Sequence, residues 1–336
     1  MSNRQPSEQV PTPKRRGRGC LAWLGGIVAL LLGLMLLGSL YESGAEAADA
    51  RAYPPPGQMV DVGGYRLHIH CEGTGRPTVV IEAGSGDWSA SWSNQVQPEA
   101  AKSTRVCSYD RAGMGWSEAG PLPRTAEHFA QELHTLLQDA DIPGPYVLVG
   151  HSAGGLTVRM FAHDYPADVA GVVLIESMHP GQAKDTGTAI VPQPTAPASS
   201  LSIFTLPARI GLLRLLAGPL GLSSGLRPEV ANAYVAAWVT PRSMQTGLDE
   251  GQGMPESLAQ ARTVTSFGAA PLIVLSRGRD QEQDWQRFQA DLLHLSSNSQ
   301  QLIADHSGHK VQLDQPEAAV GAIGTMVEHI RRQDVP

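Results

Sequence analysis

Residues 147–155 read Val147-Leu-Val-Gly-His-Ser-Ala-Gly-Gly155. The apolar run Tyr146 to Val149 has the composition of a buried strand, and Leu156 to Ala162 suits an amphipathic helix. Between them lies Gly150-His-Ser152-Ala-Gly154, a turn sharp enough to force its serine into strained backbone angles. The positions two before and two after that serine crowd each other unless they lack side chains, and Gly150 and Gly154 meet this demand. A chain with 36 glycines produces five such letters by chance. The strand before and the helix after make them an elbow that presents Ser152 as a nucleophile.

A serine nucleophile needs a base. The stretch Ile303-Ala-Asp-His306-Ser-Gly-His309-Lys310 follows a last strand, residues 300–304, and precedes a helix opened by Pro316-Glu317. His309 falls in the loop between them and is the preferred base, with His306 the rival in the same loop. An arbitrary one of the 11 histidines would more often be a surface or packing residue. A carboxylate must then hold the imidazole tautomer and stabilise the imidazolium. Asp280 follows the strand Pro271 to Ser276 and is preferred, although it could be a solvated loop acid beside Arg277 and Arg279. Glu176, at the end of Val172 to Ile175, is the alternative.

In its order Ser, acid, His the chain resembles the α/β-hydrolase superfamily over roughly residues 56 to 333. Two further segments carry the likeness. Val79-Val-Ile-Glu-Ala-Gly84-Ser85-Gly86-Asp87 is similar to the loop after the third strand, with Glu-Ala where many relatives carry His-Gly. Tyr109-Asp-Arg-Ala-Gly113-Met-Gly115-Trp-Ser117 is similar to the turn after the fourth strand, where Asp110 and Arg111 are expected to pair with each other or with backbone. The resemblance implies a serine hydrolase working without a cofactor through an acyl-enzyme on Ser152, with the backbone N–H groups of Ala153 and Ser85 holding the oxyanion. Serine at 152 argues against a haloalkane dehalogenase, which would carry aspartate there. The family's strand order places the second strand beside the fourth, so Cys71 and Cys107 are expected to form a disulfide, against the bland alternative of two buried thiols.

The implied fold is an α/β-hydrolase domain over residues 56–336, an eight-stranded, mostly parallel sheet flanked by helices. Met59 to Val62 and Tyr65 to Cys71 read as an antiparallel pair turned by Gly63-Gly64, and further strands are expected near 78–82, 105–109, 146–150, 171–176, 271–276 and 300–304. Between the sixth and seventh strands, residues 177–270 contain no convincing strand and are expected to form a helical lid. Within it Val191 to Ser200 is low in complexity, and Ile203 to Leu222 and Pro228 to Val239 suit helices. So apolar a lid suggests a substrate with an apolar group, although these side chains would equally serve to pack lid on core.

Leu21 to Leu40 is a run of 20 residues without a charge, long enough to cross about 30 Å of hydrocarbon as a helix. Residues 1–20 form a basic tail and residues 41–55 a linker. Five Lys/Arg precede the run and Glu42, Glu46 and Asp49 follow it, which keeps the N-terminus cytoplasmic and the catalytic domain outside. The alternative is a secreted product after signal cleavage near Ala45-Glu-Ala47, but the apolar stretch exceeds the usual signal length. The tail carries +4, so the rest of a chain of net charge −7 carries −11. Such an acidic domain excludes a basic nucleic-acid surface, and no metal-ligand spacing is present. The expected activity is cleavage of a carboxylic ester in a small-molecule substrate. Amide or peptide-bond hydrolysis of the iminopeptidase kind is the alternative, followed by a non-catalytic binding module.

Overall fold

A computed structural model describes residues 17–182, 204–280 and 283–333. Low-complexity residues 191–200 and tail residues 1–16 lie outside the described residues. Eight strands form one sheet: β1 (Gln58–Asp61), β2 (Arg66–Glu72), β3 (Thr78–Glu82), β4 (Val106–Tyr109), β5 (Tyr146–His151), β6 (Val169–Ile175), β7 (Leu272–Arg277) and β8 (Ser299–Ala304). Their order is β1-β2-β4-β3-β5-β6-β7-β8, with β2 antiparallel to both neighbours and parallel pairing from β4 onward. At the β1–β2 hairpin Gly63 and Gly64 adopt φ of 111° and 104°, and both N–H groups donate to Asp61 Oδ1 at 2.8 Å. Cys71 and Cys107 are register partners on β2 and β4 and are joined by a disulfide.

The helices are α1 (Gly17–Ala52), α2 (Ser89–Ser93), α3 (Val96–Ala100), α4 (Ala126–Asp139), α5 (Gly154–Asp164), α6 (Leu206–Arg209), α7 (Leu212–Leu216), α8 (Pro228–Trp238), α9 (Pro241–Thr263), α10 (Gln283–Asp291), α11 (Val311–Asp314) and α12 (Pro316–Gln333). The central strands are apolar on both faces because both are covered. Side chains alternate along a strand, so Leu148, Val172, Leu174 and Val274 share one core with α4 and α5. Val147, Val149, Val173 and Ile175 share the other with α3 and α12. Every parallel strand therefore ends on the same side of the sheet, and the loops that leave those ends meet there.

The segment between β6 and β7 carries no strand among the described residues and contributes α6 to α9. Thr240 caps α9, its hydroxyl oxygen accepting from Ser243 N–H at 3.1 Å, with Pro241 in the first turn. Helix α8 meets the loop after β3: Tyr234 donates its hydroxyl to Asp87 Oδ1 at 3.2 Å, and its ring stacks on Trp88. Helix α1 continues through residue 52, across residues expected to be a linker. Two of its acidic residues are engaged there, Glu42 being buried and held with Asp49 by Arg214.

Candidate active site

Strand β5 ends at His151, and Ser152 follows with φ of 52°. A Cβ at Gly150 would approach Gly155 Cα to 2.8 Å, and one at Gly154 would approach Ala83 O to 2.6 Å. Neither neighbour is a flexible side chain, so glycine is required at both positions. The loop after β8 brings His309 to the elbow, where its Nε2 lies 3.0 Å from Ser152 Oγ. Its Nδ1 lies 3.4 Å from Glu176 Oε2. His306 is exposed.

Of the two candidate acids, the structure brings Glu176 and not Asp280 beside the imidazole. Glu176 is fully buried immediately after β6, with φ of 46°. Its Oε1 accepts from Arg277 N–H at 2.7 Å and from Trp285 Nε1–H at 3.0 Å, while the Arg277 guanidinium stands 3.4 Å from Oε2. Asp280, exposed and with φ of 50°, sits beside the same loop, its Oδ2 3.6 Å from where a Cβ on Gly308 would be. Among the described residues it makes no hydrogen bond or ion pair with His309. Both acids follow a parallel strand at the correct end of the sheet, and only the tertiary position of the imidazole separates them.

Ser85 N–H and Ala153 N–H, the expected oxyanion donors, make no hydrogen bond among the described residues. The two residues border one cavity of about 10 Å³, together with Thr157 and Glu250. That volume suits one water molecule. Glu250, from α9, was not singled out in the sequence. It accepts from Ser85 Oγ–H at 3.1 Å and Gly86 N–H at 3.3 Å, and it pairs with Arg111 Nε at 2.7 Å. Arg111 also donates to Glu82 Oε1 and to the carbonyls of Ala83 and Gly84, each at 2.7 Å. Arg111 thus pairs with Glu82 and Glu250 rather than with Asp110, whose carboxylate accepts from Ser89 N–H and Trp116 N–H at 3.0 Å. Burial pushes the Glu82 carboxyl up against the pull of Arg111. Removing one partner of such a buried set leaves an uncompensated charge. Glu250→Gln is accordingly expected to lower stability by about 3 kcal/mol in urea unfolding. A change below about 0.5 kcal/mol, the scale of an ordinary surface substitution, would mean the carboxylate does not brace this loop.

His151, inside the elbow motif, has a role the motif alone does not reveal. Its Nε2–H donates to the carbonyl of His309 at 2.9 Å, tying the loop that carries the imidazole to the elbow. Burial, helped by the charge of His309, pushes the His151 pKa down to about 3. The folded state thus holds this ring neutral where an unfolded chain protonates it near pH 6.5, so stability falls as pH drops from about 6.5 toward 3. Between pH 7 and pH 4 the wild type should lose about 3 kcal/mol more than His151→Gln does. Parallel curves of unfolding free energy against pH would contradict this.

The family model for the alpha/beta hydrolase fold matches residues 77–316, and the chain belongs to this family. It is 26% identical over 302 residues to an uncharacterized protein of Schizosaccharomyces pombe, covering 78% of this chain and 54% of the relative. The chain thus spans about half the length of that relative. Among solved structures, the epoxide hydrolase CorEH is 20% identical with a TM-score of 0.61, over 82% of this chain and 99% of its own. A thermophilic esterase from Thermogutta terrifontis is also 20% identical, with a TM-score of 0.59, over 81% and 98% of the two chains. These two likenesses establish the shared fold. Chemistry on that fold must be argued from the site.

Proposed function

We propose that the protein is a membrane-anchored serine hydrolase that cleaves a carboxylic ester through an acyl-enzyme on Ser152. The observation that carries this reading is the contiguous path from Ser152 Oγ through the His309 ring to the buried Glu176 carboxylate. His309 Nε2 takes the hydroxyl proton as Ser152 attacks the acyl carbonyl, and Glu176 stabilises the imidazolium that forms. Ala153 and Ser85 N–H donate to the oxyanion, each worth on the order of 3 kcal/mol in the barrier. The imidazolium returns its proton to the leaving alcohol, and water activated by His309 then releases the acid. No step needs a cofactor. Helix α9 lines the small cavity beside the elbow through Glu250, Met254 and Ser257, and we read α6 to α9 as the lid of the site.

The acyl or alcohol part is apolar, in keeping with the apolar lid. Residues 21–40 span the membrane, with the basic tail cytoplasmic and the catalytic domain outside. The burial of Glu42 against Arg214 supports retention of the anchor, since cleavage after Ala47 would remove that partner. The ester reading is tested with p-nitrophenyl esters of increasing chain length set against aminoacyl amides. Ester turnover at least a hundredfold above amide turnover is expected, and preference for the amides would overturn the reading.

A further inference from the structure

The apolar surface of this chain extends beyond α1 onto the lid. Leu212 (41%), Leu215 (65%), Leu216 (39%) and Leu220 (58%) are all exposed. The residue among them that turns away is Arg214, whose Nε and Nη2 meet the Glu42 carboxylate at 2.9 and 2.8 Å and whose Nη1 meets Asp49 at 2.6 Å. Two backbone approaches fix the level of this contact along α1. A Cβ at Gly38 would lie 2.6 Å from Ile210 O, and the Tyr41 ring lies beside Gly211. Helix α7 is therefore held against α1 where the uncharged run of residues 21–40 ends, at the height of a bilayer surface if that run spans.

Charge points the same way. Besides Arg214, which is paired with Glu42 and Asp49, residues 204–227 contain Arg209 and Arg227 and no acidic residue, on a domain that otherwise carries a strong negative charge. Single exposed leucines are ordinary on a soluble surface. Four within nine positions, on and just after a helix held against an α1 whose apolar side chains from Trp23 to Leu40 are exposed, make a surface that water disfavours and a headgroup–acyl boundary accepts.

Resting on the anchor and ester readings above, we propose that α7 and Leu220 seat in the same bilayer that α1 crosses, and that the site draws a long-chain ester from the lipid leaflet. The lid is placed to pass this contact inward, because α8, which follows α7, reaches Asp87 and Trp88 next to the Ser85–Gly86 loop.

The test uses the full chain with Cys20→Ser, reconstituted in phosphatidylcholine vesicles, carrying an environment-sensitive fluorophore at Leu215→Cys, Leu31→Cys or Glu328→Cys. Spin-labelled phosphatidylcholine should quench the probe at 215 at least threefold more than at 328, an exposed position of α12. Quenching at 215 no greater than at 328 overturns the proposal. Failure to quench at 31 removes the anchor itself, and this proposal with it.

A second arm replaces Leu212, Leu215 and Leu216 together by serine. Hydrolysis of a long-chain p-nitrophenyl ester dissolved in the vesicles should fall about tenfold while p-nitrophenyl acetate in buffer is unaffected. No loss on the vesicle substrate, or equal loss on both, overturns delivery from the bilayer. Inactivity of the unaltered protein on both esters would refute the ester reading, and the quenching result would still stand.

Discussion

Ser152→Ala is expected to lower ester turnover by about 10⁶-fold while leaving the fold intact, because it removes the atom that attacks and leaves the rest of the site in place. The wild-type hydroxyl stands 3.0 Å from His309 Nε2 on backbone held at φ of 52°, and alanine keeps the Cβ while removing only that oxygen. What survives is oxyanion binding, about 10³ over water. The comparison is made on purified variants whose circular dichroism overlays that of the wild type. Activity above a few per cent in the alanine variant would mean that another residue performs the chemistry.

Glu176→Gln should cost about 10⁴ in kcat, because a neutral amide no longer stabilises the imidazolium and can hold His309 in the wrong tautomer. The 3.4 Å contact with Nδ1 is long, but unliganded catalytic contacts often are and shorten as charge develops. Asp280→Asn, by contrast, should change kcat less than about tenfold, since among the described residues no hydrogen bond or ion pair joins it to the ring. If Asp280→Asn gave the steep loss and Glu176→Gln the mild one, the imidazole would have to turn toward Asp280 in the working enzyme. Equal mild losses would mean that neither carboxylate holds it.

The ladder of strands was legible because short continuous apolar runs between glycine and proline turns leave little freedom: residues 78–82 were expected as β3 and form it, and β5 and β8 each extend the expected span by one residue. The elbow glycines and the histidine loop were legible for the same local reasons. Which carboxylate stands beside the imidazole was not, because Glu176 and Asp280 both follow parallel strands, and the groups that engage Glu176, Arg277 and Trp285, lie about a hundred residues away. Helix α9 gave no apolar stripe to read: Gly247, Gly251, Gly253 and Pro255 lower its intrinsic propensity, and it is held by tertiary contacts such as those of Glu250. Glu42 and Asp49 fall in the expected linker, and only the approach of Arg214 from the segment between β6 and β7 shows why a helix continues through them.

The central claim, that Ser152 is a nucleophile activated by His309, is tested most directly by treating the purified protein with a fluorophosphonate and locating the adduct by peptide mass spectrometry. One adduct on the peptide containing Ser152, absent after His309→Gln and suppressed by prior incubation with an ester substrate, is the predicted result. Labelling on another residue, or undiminished labelling of Ser152 in His309→Gln, would contradict it.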